Sequence, residues 1–420
     1  MKWRELTAEG VSARPAHRRE PTAEEPSSEP DHRAAAARVL QELGPCLFAS
    51  LPRIDQRHKA GQYVQGLLAA EGRKTLRNIA AQLGGEAAQQ SVHHFISGSS
   101  WEWEPVRQSL GRSAERLVGP QAWVVRSTLI PRSGAQAAGV ARHFLPHLGR
   151  TAKAQQALGA WLTSERAAVP VDWRLVLPRS WRDDPGRRAR ANLPADVKVS
   201  TAGEYVRDSV PGAVGSWALP RLPVVLDVPQ LCPYELVSGR DGTGRPLIMS
   251  VCPDTVLTLD EAVLPGAGTQ EMPAWRIVDS MKRLWHRTKV PGPGGGGVEG
   301  MLAAVPVKAW VADCAGDGPP FLRALLLAEW SAADRRPTWF WLTEATDVPP
   351  AHLLRLTRLS GTVTREFTEV SERVGMRDFA GRSFQGWHRH MTLASVAHLA
   401  MATAAARHRA AAHGPLSGVA

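Results

Sequence analysis

The segment that most constrains the fold is the apolar C-terminal stretch beginning at Arg365. Its apolar residues Phe367, Val370 and Val374 recur at helical spacing, which predicts an amphipathic helix with these side chains facing a core. Gly375 ends that helix. After a short basic and aromatic link, a second helix is predicted to run on through the apolar sequence SVAHLAMATAAA. We expect the rest of the chain to be organised around this pair of helices.

The composition indicates a globular protein with an anionic partner. The chain has 420 residues, enough for two or three packed units, and its hydrophobic share of 43% is ordinary. The formal net charge is +11 and the basic residues are mostly arginine, which suits bidentate contacts with phosphate. A polyanion is therefore the expected partner. The alternative is that GC-rich coding has produced an Arg- and Ala-rich chain whose basic surface has no ligand.

The cysteines and the hydropathy pattern indicate a cytoplasmic protein. The spacing of Cys46, Cys232, Cys252 and Cys314 is too wide for a CxxC zinc pair, and we interpret them as reduced thiols. The N-terminus has no apolar signal region, and no apolar run of membrane-spanning length occurs. We therefore expect no association with a membrane.

The order of patterns along the chain predicts a mixed α/β fold. Helical patterns come first, short strands follow from Ala122, and the chain returns to helices near its end. Within the segment 255–345 we predict strands at VKAWVADCA and TWFWLTEA, a helix at FLRALLLAEW and a flexible glycine-rich connection after Pro291. The predicted divisions are a mostly disordered tail with a lead-in helix (1–45), a helical, candidate DNA-binding unit (46–118), the first part of the core (119–254), an insertion (255–345), C-terminal helices completing the core (346–410) and a flexible tail (411–420).

Motifs in three separated regions carry a family resemblance. They are Gln56-Arg57, Tyr63, Gly66-Leu67-Leu68, Arg73-Lys74 and Ser99-Ser100-Trp101 in the first region, Gly139-Val140-Ala141-Arg142 and Asp172-Trp173-Arg174-Leu175 in the second, and Gly381-Arg382-Ser383 with Gly386-Trp387-His388-Arg389-His390 and Thr392-Leu393 in the third. Together they resemble DDE transposases of one group of bacterial insertion sequences. The resemblance implies a ribonuclease-H-like mixed sheet flanked by helices, with an insertion before the last core helix.

The same resemblance implies where the catalytic acids should stand. The family's first acidic positions correspond to Arg126 and Ser127, the second to Asp227 and the third to Thr364. DDE chemistry needs converging carboxylates that hold two divalent metal ions. Only Asp227 is retained, and a lone aspartate at a strand end is often a turn or helix cap. We therefore predict no metal site and no cofactor, with Mg²⁺ as the ion for any residual activity.

Neighbouring residues are poor replacements for the missing acids. Glu366, Glu369 and Glu372 are displaced around or along the helix from position 364, and we expect them to face away from the core. Asp172 belongs to a DWRL motif that the family shares, so a structural role is expected. His388 and His390 are spaced i,i+2, which separates them on a helix and favours a packing role over a metal site.

The candidate DNA contacts lie in the N-terminal helical unit. Its basic side chains with helical positions suited to phosphate contacts are Arg57, Lys59, Arg73, Lys74 and Arg77. The structural alternative is a solvated basic face of a helical bundle.

The leading hypothesis is a catalytically degenerate DDE-transposase-like protein that binds DNA without cutting it, and a homo-oligomer is compatible with the sequence. One alternative is that the fold has been repurposed as a non-nuclease enzyme or an interaction protein. The other is an active transposase with a rearranged acidic site. An ion pair between Arg126 and Asp227 would be informative, since it would occupy the position of the metals.

Overall fold

The computed structural model describes residues 29–412 apart from 146–148, 196, 198–202, 204, 206–215, 229–230, 232–245, 292–296, 311–320, 332–333, 335 and 338. The predicted N-terminal tail, the glycine-rich connection after Pro291 and most of the C-terminal tail lie outside these residues. Within them, no helix combines the length and the apolar character needed to cross a bilayer.

Helices come first and last in the described part of the chain. The α-helices are α1 (Glu29–Leu47), α2 (Ile54–Ala69), α3 (Leu76–Ala81), α4 (Glu86–His93), α5 (Glu104–Val118), α6 (Arg179–Arg182), α7 (Pro185–Arg190), α8 (Ala274–Ser280), α9 (Pro350–Glu366) and α10 (Phe384–Ala412). Helix α4 continues as a π-helical turn over His94–Gly98, and α9 continues as another over Phe367–Ser371. A short 3-10 turn, Lys282–Leu284, follows α8.

The strands form one mixed sheet. They are β1 (Ala122–Pro131), β2 (Val140–Leu145), β3 (Arg150–Thr163), β4 (Ala168–Leu175), β5 (Val224–Asp227), β6 (Leu247–Val251), β7 (Val256–Leu259), β8 (Met272–Pro273), β9 (Trp285–Pro291), β10 (Gly297–Trp310), β11 (Phe321–Ser331) and β12 (Trp339–Thr343). Their order is β2-β3-β1-β5-β6-β12-β11-β10-β7-β8, with β4 on β3 and β9 on β10.

The central strands have the ribonuclease-H-like arrangement. Strands β1, β5 and β6 are parallel neighbours, whereas β3 pairs antiparallel with both β1 and β4. The parallel strands are buried, and helices flank the sheet, as such a sheet requires. The predicted mixed α/β fold is therefore confirmed.

The segment predicted as an insertion, residues 255–345, continues the same sheet. Strand β12 pairs antiparallel with β6, and β11, β10 and β9 follow outward. Of the strand predicted at VKAWVADCA, residues 307–310 form the end of β10, and residues 311–315 lie outside the described residues. The strand predicted at TWFWLTEA is present as β12.

The helix predicted at FLRALLLAEW was wrong, because this segment is β11. Its Leu and Ala residues favour helix, but β11 lies between β10 and β12 and is buried over most of its length. A continuous apolar run in a central strand resembles a buried helix in sequence, and here tertiary pairing outweighs the intrinsic preference.

Helix α10 is buried at the centre of the N-terminal helices, as expected from its apolar sequence. Every residue from Trp387 to Ala400 is buried, and α10 packs against α1, α2, α5 and β4. The preceding turn contains Gly375, whose φ of +76° suits glycine. This turn directs the chain from α9 back into the core as α10.

Candidate functional site

Arg126 and Asp227 are direct neighbours in the sheet. They are paired residues in the parallel ladder of β1 and β5, so their side chains project to the same face. Arg126 Nε lies 3.8 Å from Asp227 Oδ2, and the two side chains are 26% and 14% exposed, respectively. The Asp227 carboxylate is thus paired with the guanidinium that stands where the resemblance implies an acid.

Two hydroxyl groups of helix α9 form hydrogen bonds with this ion pair. Ser360 donates its hydroxyl hydrogen to Asp227 Oδ2, and Arg126 Nη1 donates to Thr364 Oγ1. Thr364 in turn donates to the carbonyl oxygen of Ser360 at 2.9 Å, one helical turn earlier. The Thr364 hydroxyl therefore uses its hydrogen within the helix and offers its oxygen to Arg126.

Ser127 lies away from this group. Consecutive residues of a strand point to opposite faces, so Ser127 projects from the face opposite to Arg126. Its hydroxyl oxygen accepts a hydrogen bond of 3.0 Å from Gln156 Nε2. The structure thus brings together Arg126, Asp227 and Thr364 but not Ser127.

Sequence reasoning missed Ser360, the fourth member of the group. It is buried and stands four residues before Thr364. That i,i+4 spacing on one helical face was the available signal.

The side chains around Asp227 do not fit two divalent metal ions. The group offers one carboxylate, two neutral hydroxyls and one cation, and its formal charge sums to zero. No set of three or more His, Cys, Asp or Glu side chains suited to a metal occurs among the described residues. A guanidinium has no acceptor and stays protonated, so Arg126 repels a cation rather than binding it.

The structure corrects the prediction that Glu366 faces away from the core. It points away from Thr364, as expected, but it does not face solvent, because α10 covers it. Glu366 Oε2 lies 3.8 Å from His398 Nε2, and the glutamate side chain is 13% exposed. Burial raises the pKa of Glu366 to about 7. Glu369 and Glu372 are exposed, as predicted.

His390 is a core residue held by two hydrogen bonds. Its Nε2 donates to the carbonyl oxygen of Gly375 at 2.9 Å, so its Nδ1 accepts from the Tyr63 hydroxyl at 2.8 Å. Burial lowers the pKa of His390 to about 4, which keeps the ring neutral at pH 7. The histidine therefore joins α2 to the turn before α10.

His388 is also buried, and it serves a different contact. Arg107 Nη2 lies 3.2 Å from His388 Nδ1, and the imidazole stacks on Trp103 with centroids 4.8 Å apart. Burial, together with the nearby Arg107 charge, holds the pKa of His388 well below its ordinary value. The two histidines thus occupy separate packing positions.

Asp172 holds a buried ion pair. Arg107 Nη1 lies 2.6 Å from Asp172 Oδ1, and Arg107 Nη1 also donates to the Trp173 carbonyl at 2.8 Å. Tyr205 donates its hydroxyl hydrogen to Asp172 Oδ2 at 3.0 Å. Since Arg107 also bonds Thr392, this network fastens α5, β4 and α10 together.

Four of the predicted DNA contacts lie at the surface to different degrees. Arg57, Arg73 and Arg77 are exposed, and Lys59 is half-buried. Arg57 Nε donates to the Leu51 carbonyl at 2.7 Å, and Arg73 Nε lies 3.4 Å from Asp378 Oδ1. These contacts leave the exposed guanidinium groups at the surface of the N-terminal unit.

Lys74 does not fit the prediction that it contacts phosphate. It is 4% exposed, and its ammonium group donates to the carbonyl oxygen of Ala70. Its aliphatic stem packs where a side chain at Gly375 would lie. The physical reason is the absence of a Cβ at Gly375, which leaves room for the lysine to fold inward.

Comparison with known proteins gives one family match. Residues 46–232 match the family model described as DDE superfamily endonuclease, a span that covers the N-terminal helical unit and the core up to β5. No curated protein matches the chain.

Proposed function

We propose that this DDE-superfamily transposase-like protein binds duplex DNA and does not cut it. The observation that carries the proposal is the placement of Arg126 against Asp227, with Thr364 as the partner of the guanidinium. These residues stand at three positions where the resemblance implies catalytic acids.

Electrostatics support the loss of cleavage. Two unit charges 4 Å apart interact by about 4 kcal/mol at an effective dielectric constant near 20, so a divalent ion beside Arg126 is opposed by about 8 kcal/mol. Asp227 alone supplies one negative charge, which Arg126 already offsets. Two metal ions with a bound phosphate would therefore lack the carboxylates that normally balance their charge.

Charge also supports DNA binding. The net charge of +11 favours a polyanion, and Arg57, Arg73 and Arg77 are exposed in the N-terminal unit. Such contacts hold a duplex through its phosphates and carry little sequence information. The expected binding is accordingly sensitive to salt and tolerant of sequence.

Two measurements test the proposal. Fluorescence anisotropy with a labelled duplex should give an affinity that falls steeply between about 50 and about 200 mM salt, with each phosphate contact contributing about −0.9 to the logarithmic slope. A supercoiled plasmid incubated with the protein and Mg²⁺ or Mn²⁺ should remain intact.

A weak or flat salt dependence would contradict DNA binding by the basic surface. Metal-dependent nicking that Asp227→Ala abolishes would instead establish an active nuclease with a rearranged site.

A further inference from the structure

The insertion presents a second strongly basic surface, which spans α8, the 3-10 turn and β9. Between Trp275 and Pro291 the sequence contains five Lys or Arg residues and one acid, Asp279. All five basic side chains are exposed, and we call them the insertion basic surface: Arg276, Lys282, Arg283, Arg287 and Lys289. Asp279 lies 3.9 Å from Lys282, so most of this positive charge has no acid within the same segment to offset it.

The two elements that carry most of these side chains, α8 and β9, are packed against each other. Trp285, the first residue of β9, donates its indole N–H to the Val278 carbonyl at 2.9 Å. Its ring also packs edge-on against Trp330 with centroids 4.9 Å apart. Arg287 and Lys289 follow at two-residue intervals, so they project from the same face of β9 as Trp285. Helix α8 and β9 are thereby joined, so their basic residues belong to one packed part of the structure.

A shallow cleft adjoins the same segment. Its volume is about 400 Å³, and it lies between the turn Pro265, Gly266 and Ala267 and the residues from Asp279 to Arg283. Lys282 and Arg283 line one side. Two cations and the carboxylate of Asp279 line this wall, so its formal charge is positive and suits a phosphate group of an extended polyanion.

We propose that the insertion basic surface binds the phosphate backbone of DNA. This inference rests on the proposed function, which it extends from the N-terminal unit to the insertion. Nucleic acid fits better than a small anion, because the charges continue over a helix, a turn and a strand. A polyanion with regularly spaced phosphates can contact all of these elements at once.

The competing explanation is that the charges protect an edge strand. In the described part of the sheet, β9 pairs with β10 alone, and basic residues on an edge strand hinder pairing with other chains. That role needs no ligand. It therefore predicts that removing the charges leaves DNA affinity unchanged.

The test compares two triple variants that remove the same charge. The first is Arg276→Ala/Arg283→Ala/Arg287→Ala, and the control is Arg38→Ala/Arg150→Ala/Arg221→Ala, which replaces exposed arginines on α1, on β3 and before β5, outside both proposed DNA-binding surfaces. Anisotropy with one labelled duplex is measured over a range of salt. The insertion variant should lose about tenfold or more in affinity at low salt, and its logarithmic salt slope should fall by roughly 2 to 3. The control should change by less than about threefold.

A second measurement uses the unaltered protein. Acetylation of lysines followed by mass spectrometry should show Lys282 and Lys289 protected when duplex DNA is added, while the exposed Lys153 on β3 stays reactive. Equal affinity of the two triple variants, or unchanged acetylation of Lys282 and Lys289, would overturn the inference while leaving DNA binding by the N-terminal unit intact. Failure of the unaltered protein to bind any duplex would overturn both proposals.

Discussion

The guanidinium of Arg126 on β1 donates a hydrogen bond to the hydroxyl of Thr364 on α9. Two positions at which the resemblance implies acids are therefore bonded to each other. Asp227 completes the group from β5. The side chains at these positions thus form a closed set of internal contacts.

Restoring two acids should restore metal binding. In Arg126→Asp/Thr364→Glu, the two new carboxylates would join Asp227 on the same face, and the repelling cation would be gone. Titration calorimetry should detect Mn²⁺ binding to this double variant but not to the unaltered protein. The added replacement Asp227→Ala should abolish the signal. Equal Mn²⁺ binding by the double variant and the unaltered protein would show that Arg126 does not block the site.

Breaking the Arg107–Asp172 pair should strongly destabilise the fold. Arg107→Met leaves the carboxylate of Asp172 buried without its main partner, and breaking such a pair typically costs about 3 to 5 kcal/mol. Urea unfolding measures the free energy of unfolding. Arg116→Ala, which alters an exposed residue of the same helix, should change it by less than about 0.5 kcal/mol. A loss below about 1 kcal/mol for Arg107→Met would contradict the structural role.

Acid should destabilise the protein through His390. Its pKa is about 4 in the folded state, below the ordinary value of 6.5, so the unfolded chain binds more protons between these values. The stabilisation is complete above about pH 6.5 and is lost as the pH falls toward 4, with a total of about 3 kcal/mol.

The variant His390→Phe tests this assignment. It lacks the titrating group, so its free energy of unfolding should fall less steeply than that of the unaltered protein between pH 6.5 and pH 4. The comparison uses the slopes, because the variant also loses the bonds to Tyr63 and Gly375. Parallel slopes would exclude His390 as the source.

Glu366 should make the free energy of unfolding depend on pH in the opposite direction. Its pKa is raised to about 7 in the folded state, so the folded protein holds a proton that the unfolded chain releases near pH 4.5. Stability is therefore lost as the pH rises from 4.5 to 7, by an amount on the order of 3 kcal/mol. Glu366→Gln should raise the free energy of unfolding at pH 8 and change it little at pH 4.5. An equal effect at both pH values would point to packing instead of charge.

Local pattern and resemblance predicted the parts of the site that depend on strand and helix periodicity. Asp227 lies at the end of a strand, as its apolar run predicted, and the separation of Glu366 from Thr364 follows from the helical repeat. The packing role expected of His388 also followed from helical spacing. Each of these inferences concerned neighbours within one element or one sheet.

The predictions that failed depended on distant partners. Lys74 is buried because Gly375, far along the chain, leaves space for its stem. Glu366 is covered because α10 returns across the C-terminal end of α9, and β11 is a strand because β10 and β12 pair with it. In a single sequence these partners are separate segments, and no local pattern shows that they pack together.

The pairing of β12 with β6 makes the insertion part of the mechanical frame of the site. Strand β6 lies between β12 and β5, the strand that ends in Asp227. A displacement of β12 relative to Asp227 would therefore have to disturb one of two ladders of backbone hydrogen bonds, β12 with β6 or β6 with β5. Deletion of the insertion would expose β6 as a new unpaired edge.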